Sequence, residues 1–164
     1  MKLQKQIESA FTAKELSKSD HKAIESVIQK LSKGELRVAE KTGGIWTTHA
    51  WIKQAILLYF RICKIKKISA GDFTWLDKIP VRKFSKDDGV RSVPPAFVRV
   101  GAFVSPGAIL MPSYVNIGAY VGKHSMIDTW ATVGSCAQVG ENVHVSGGVG
   151  LGGVLEPVQA NPVI

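Results

Sequence analysis

The stretch FVRVGAFVSPGAILMPSYVNIGAYVGKHSMIDTWATVGSCAQVGENVHVSGGVGLGG, residues 97–153, decides how the whole chain is read. Stepping by six from Phe97 reaches Phe103, Ile109, Val115, Val121, Ile127, Val133, Val139, Val145 and Leu151, and every one is apolar. Four residues after each stands a small or aliphatic residue, from Gly101 to Leu155, and Gly122, Gly134, Gly140 and Gly152 directly follow a bulky one. A period of six is neither the 3.6 of a helix nor the 2 of an ordinary strand. It fits short flat strands joined at tight corners, where Gly or Asn accepts a positive φ. Stacked coils then bury a continuous ladder of aliphatic side chains. In this register Val98, Val100, Val104, Leu110, Met111, Tyr114, Ile117 and Tyr120 fall outside the ladder. They predict an apolar outer surface that another copy of the chain would cover.

Such a repeat resembles the hexapeptide-repeat, left-handed parallel β-helix. The left hand comes from that resemblance, because the general crossover rule predicts the right. Ten hexads make a little over three coils.

Outward from the repeat, the composition divides the chain. Residues 1–96 hold 19 Lys/Arg against 10 Asp/Glu, whereas residues 97–164 hold 2 against 3. Glycine runs the other way, with 5 and 11. We therefore expect a mixed α/β N-terminal domain, residues 1–96, followed by the β-helix, residues 97–164. The overall balance, 45% apolar and 21% charged in 164 residues, is that of a soluble globular protein. The longest apolar run, Ala55 to Phe60, is too short for a membrane span. Lys5 and Glu8 interrupt any signal peptide, and Cys63 and Cys136 form no metal-type pair. A cytoplasmic protein with reduced thiols and no membrane partner is expected. The lysines are scattered except for Lys64, Lys66 and Lys67. That argues against nucleic acid and for a solvated basic surface, which can still draw in small polyanions.

In the first domain, Ala23, Ile24, Val27, Ile28 and Leu31 predict a helix stopped by Gly34, and Leu3, Ile7, Ala10 and Phe11 a shorter one before it. Residues 36–49 read as two strands around Gly43-Gly44. Thr48 is placed to cap a third helix with Trp51, Ala55, Leu58 and Ile62 on one face. Residues 64–93 read as irregular with a strand or two. Trp46, Trp51 and Trp75 are expected in the core.

Gly148–Gly153 matches GxGxxG, but Glu156-Pro157 follows where a dinucleotide site needs a helix, so that reading fails. His124 and His144 raise zinc, yet His21 and His49 lie in the other domain, and no metal site is expected. No GxSxG is present.

Fold alone does not set function. The blocks PPAFVRVGAFV, LMPSYVNIGAYVGKHSMIDTWATVGSCAQVG and NVHVSGGVGLGGVLEP closely resemble the tetrahydrodipicolinate N-succinyltransferases, as do KLSKGELRVAEK and WTTHAWIKQAILLYFRI in the first domain. The resemblance covers essentially all 164 residues and implies transfer of a succinyl group from succinyl-coenzyme A to the amine of the ring-opened substrate, in lysine and diaminopimelate synthesis. Succinyl-coenzyme A is implied as a co-substrate, with no bound cofactor. Arg91 matches the position that binds the substrate carboxylate, a role to which a guanidinium is suited. Asp128 matches the residue that engages the substrate amine as catalytic base. It stands where the flanking hexads have Gly122 and Gly134, which reads as a carboxylate in place of a corner glycine.

The resemblance further implies a homotrimer with active sites between subunits. It implies a second catalytic carboxylate and most of the coenzyme groove beyond Ile164, so the chain reads as a fragment; Glu156 belongs to a different motif and is no substitute. The alternative reading from another class is a non-catalytic hexapeptide-repeat scaffold.

Overall fold

The computed structural model describes residues 2–164. Three helices open the chain: α1 (Lys2–Thr12), α2 (Lys18–Ser32) and, after a short hairpin, α3 (Ala50–Ile62). The hairpin pairs β1 (Ala39–Thr42) with β2 (Ile45–Thr48) around Gly43-Gly44, as the sequence predicts. Ser17 starts α2 through a capping box, accepting from the Asp20 amide while the Asp20 carboxylate accepts from the Ser17 amide. Gly34, at φ +73°, reverses the chain after its last turn. The predicted face of α2 is buried in full.

α3 differs from its prediction in two respects. Its N-cap is His49, whose side chain makes no capping bond, while the Thr48 hydroxyl donates instead to Asn161 Oδ1 at 2.9 Å. Its buried face also includes Lys53, which is 0% exposed. The charge is tolerated because Nζ donates to the Ala160 carbonyl at 2.6 Å.

A second hairpin, β3 (Lys66–Ala70) with β4 (Phe73–Asp77), precedes a short 3₁₀ turn at Lys86–Asp88. Trp75 on this hairpin and Trp46 on the first are each 39% exposed, and Trp51 only packs at the core margin. The expectation of three core tryptophans is thus corrected. Hairpin strands of this kind bury at most one face, and both of these lie at the surface.

From Arg91 the chain winds into a left-handed parallel β-helix of about three turns, built from two-residue strands on three sheets. One sheet stacks β5 (Arg91–Ser92), β8 (Ile109–Leu110), β11 (Met126–Ile127) and β14 (His144–Val145). The second stacks β6 (Phe97–Val98), β9 (Tyr114–Val115), β12 (Thr132–Val133) and β15 (Gly150–Leu151). The third stacks β7 (Phe103–Val104), β10 (Tyr120–Val121) and β13 (Gln138–Val139).

The register corrects the sequence reading at its start. Val98, Val104 and Leu110 point inward at 0–1% exposure, while Phe97, Phe103 and Ile109 face outward. From Val115 onward the predicted ladder holds, through Val121, Ile127, Val133, Val139 and Val145. The phase shifts because Leu110 and Val115 are five residues apart: Phe97 pairs with Tyr114, a coil of 17, whereas Tyr114 pairs with Thr132, a coil of 18. Ile117 is also buried, in the core shared with the helices. Half of the predicted outer apolar surface is therefore interior.

The N-terminal domain lies over the third sheet. Phe103 and Tyr120 rings pack at 5.2 Å, the Arg37 guanidinium sits 3.7 Å over Tyr120, and its Nε donates to Gln138 Oε1 at 3.1 Å. Trp75 meets Phe97 edge-on at 5.8 Å over the second sheet. Aromatic outward residues in the first coils are thus explained by what covers them.

Candidate active site

Asp128 follows β11 and returns to the outer side of the β-helix after the inward Ile127. Its neighbours on the first sheet form an outward ladder of Arg91, Ile109, Met126 and His144, each directly paired with the next. The Asp128 carboxylate is held at both oxygens. Oδ1 accepts from the Thr129 amide at 2.7 Å and from its hydroxyl at 3.3 Å. Oδ2 lies 2.9 Å from Nε2 of His144 on the next rung. The His144 hydrogen bond, then the Thr129 amide, hold the carboxyl below its ordinary value of 3.8. At neutral pH the group is ionised, half-exposed and fixed in orientation.

The corner reading of Asp128 changes. Left-handed φ values occur two residues later in each hexad, at His124, Trp130, Cys136 and Asn142, and at Gly148. Gly122 and Gly134 are required for a different reason. A Cβ on Gly122 would sit 2.3 Å from the Gly140 carbonyl oxygen, and one on Gly134 2.3 Å from the Gly153 amide. Asp128 occupies the same hexad position on the first sheet.

Arg91 is exposed on β5 and lies on the same face as Asp128, but not in contact with it. It is two rungs below Met126, which puts its Cα roughly 12 Å from that of Asp128 at ordinary strand spacing.

Two neighbours were not singled out by sequence as part of this site. His144 becomes a partner of Asp128 only once the coil length is known. Trp130, at φ +60° and 69% exposed, carries its indole into solvent two residues beyond Asp128. The left-handed conformation is shared with His124, Cys136 and Asn142 at the same position of their hexads, so what sets Trp130 apart is its exposed indole. His124 is exposed on another corner, stacked above Gly107, and does not join His144. Among the described residues no group of three or more His, Cys, Asp or Glu is arranged to hold a metal ion. Gly148–Gly153 runs through β15 with no helix after it. Glu156 is exposed in the segment beyond the last rung.

Residues 2–62 match the family model described as tetrahydrodipicolinate N-succinyltransferase, N-terminal. Over its whole length the chain is 53% identical to the 2,3,4,5-tetrahydropyridine-2,6-dicarboxylate N-succinyltransferase of Haemophilus ducreyi, covering 64% of that protein. The like-named protein of Pasteurella multocida is 51% identical over the same shares. That of Coxiella burnetii is 55% identical across 97% of this chain and 60% of its own length. Along essentially its whole length the chain is similar to the tetrahydrodipicolinate N-succinyltransferases. It spans a little under two thirds of the length of these relatives. The similarity covers both halves of the architecture, the helical domain through the matched model and the β-helix through the relatives, whose identity continues past residue 62. No helix among the described residues is long and apolar enough to cross a membrane.

Proposed function

We propose that this chain carries part of the active site of a tetrahydrodipicolinate N-succinyltransferase. The reaction moves a succinyl group from succinyl-coenzyme A to the amine of the hydrated, ring-opened acceptor, a step toward lysine and diaminopimelate. The amine nitrogen attacks the thioester carbonyl; a C–N bond forms, the C–S bond breaks, and the coenzyme leaves as its thiol.

The observation that carries this reading is the fixed, ionised Asp128 carboxylate on an open rung. A carboxylate held low is a weak base toward a free amine. It is a competent acceptor once nitrogen has bonded to the carbonyl carbon, because the resulting ammonium is strongly acidic. Until then Asp128 orients the amine by accepting its hydrogen bond. Arg91, roughly 12 Å away at its Cα, takes the far carboxylate of the acceptor through its two-pronged guanidinium. Succinyl-coenzyme A enters as co-substrate, with no metal or resident cofactor in the proposed chemistry.

The assembly proposed with this activity is a cytoplasmic homotrimer. Exposed Trp130, two residues beyond Asp128, favours a second copy closing over the site. Succinyl-coenzyme A-dependent acylation of the acceptor by the full-length protein, followed as thiol release, tests the reading. Failure to release thiol with a correctly assembled protein overturns it.

A further inference from the structure

A cleft of about 520 Å³, with no residue of the Asp128 site in its lining, lies between α2, the end of α3 and the β3–β4 hairpin. Its walls hold the lysine cluster that the proposed acyl transfer does not use. Lys64, Lys66 and Lys78 all line it, against a single acid, Glu25. Among the described residues none of these lysines is in an ion pair. Lys78 Nζ donates to the Phe60 carbonyl at 3.1 Å, which fixes one ammonium and covers part of the negative end of α3. The floor is apolar, formed by Ile28, Ile62 and Val100. Burial pushes the Tyr59 hydroxyl up to about 12, so it remains a proton donor at the rim.

Three like charges around one concavity repel unless an anion joins them. The lining has lysines and no arginine. That favours an anion approached as a point charge by several ammonium groups, as phosphate is, over the planar carboxylate that a guanidinium fork would grip. The volume is within the range of small-molecule sites, and the apolar floor suits a flat or aliphatic body rather than a bare ion.

We propose that this cleft binds a phosphate-bearing small molecule, with Lys64, Lys66 and Lys78 neutralising the phosphate and Ile28, Ile62 and Val100 packing against its apolar body. The site is independent of the proposed acyl transfer and stands or falls separately.

The test uses AMP as probe, with pyrophosphate and adenosine separating charge from body. Calorimetric titration reads binding to the chain. Alkylation of the half-buried Cys63 by iodoacetamide reads location, because Cys63 also lines the cleft while Cys136 is buried elsewhere. The expected result is one AMP per chain, slower Cys63 alkylation, and weaker binding of pyrophosphate and adenosine alone. Lys64→Gln combined with Lys66→Gln should weaken AMP by about a hundredfold, at an unchanged melting temperature, since each lost charge-assisted contact is worth about tenfold. No heat with AMP, or AMP binding that the double variant leaves unchanged, overturns the proposal. So does a single-stranded oligonucleotide protecting Cys63 at far lower concentration than AMP, which would make the surface one for nucleic acid.

Discussion

Nε2 of His144 and Oδ2 of Asp128 meet at 2.9 Å across adjacent rungs, although 16 residues separate them. Met126 is the residue directly opposite His144, so the pair is diagonal, reaching two positions along the neighbouring strand. The contact depends on the 18-residue coil; in the coils that span the five-residue step from Leu110 to Val115 the repeat is 17, and residues 16 apart do not meet on this diagonal.

Asp128→Asn should lower turnover in the full-length protein by about a hundredfold or more while leaving the fold intact, as read by circular dichroism. The amide oxygen still accepts from Thr129, but the group no longer takes a proton. Near-normal thiol release in a folded variant would end the catalytic assignment.

The His144 pairing has a direct signature in the Asp128 titration. Because the folded carboxyl is held low, its stabilising effect is present above the ordinary value of 3.8 and is lost as pH falls through the lowered one. His144→Ala should move the Asp128 titration, read by carboxyl NMR, upward toward 3.8. His144→Gln, which keeps a donor, should restore part of the shift. A titration indifferent to both variants means the pair does not form in solution.

The close rungs predict sharply unequal glycines. Gly122→Ala and Gly134→Ala force a Cβ to 2.3 Å from backbone atoms and should cost more than about 3 kcal/mol each. At Gly140 the nearest atom is a Val143 methyl at 3.7 Å, and alanine should change stability by less than about 1 kcal/mol. Denaturant unfolding of the three variants decides the matter, and equal losses would contradict the observed stacking.

Lys53→Ala empties the space of a buried stem and orphans the Ala160 carbonyl, a loss of about 2–4 kcal/mol. Lys53→Met fills the space and should lose about 1–2 kcal/mol. Burial lowers the folded Lys53 value below 10.5, so the unfolded chain binds more protons there. The advantage of lysine over methionine should therefore grow as pH rises through the lowered value toward 10.5. A methionine variant more stable than the parent at every pH would overturn this account.

Light scattering on the full-length protein should give three times the chain mass at micromolar concentration. A monodisperse, soluble monomer would remove the shared cleft on which the proposed site relies.

What the residues disclosed, and what they withheld, has a physical pattern. The inner ladder from Val115 to Val145 was legible because its outward neighbours, such as Thr132, Gln138 and His144, are polar. Before it, the pairs Phe97-Val98, Phe103-Val104 and Ile109-Leu110 are apolar on both faces, and periodicity alone cannot choose between them; the β3–β4 hairpin covers Phe97 and the end of α2 lies against Phe103. Thr48 looked like a cap but bonds Asn161, a partner 113 residues away. Asp128 stood out as a carboxylate among glycines. Its partner His144 did not, because their meeting is a property of coil length rather than of local sequence.

Lys53 finds its acceptor 107 residues further along the chain. A ribosome adding about 5–20 residues per second takes about 5–20 s to supply that carbonyl after the lysine itself has been made. For that interval the three helices can assemble only with an unmatched ammonium at their centre, held toward water. The helical domain therefore matures late, when the segment beyond the last rung returns to it.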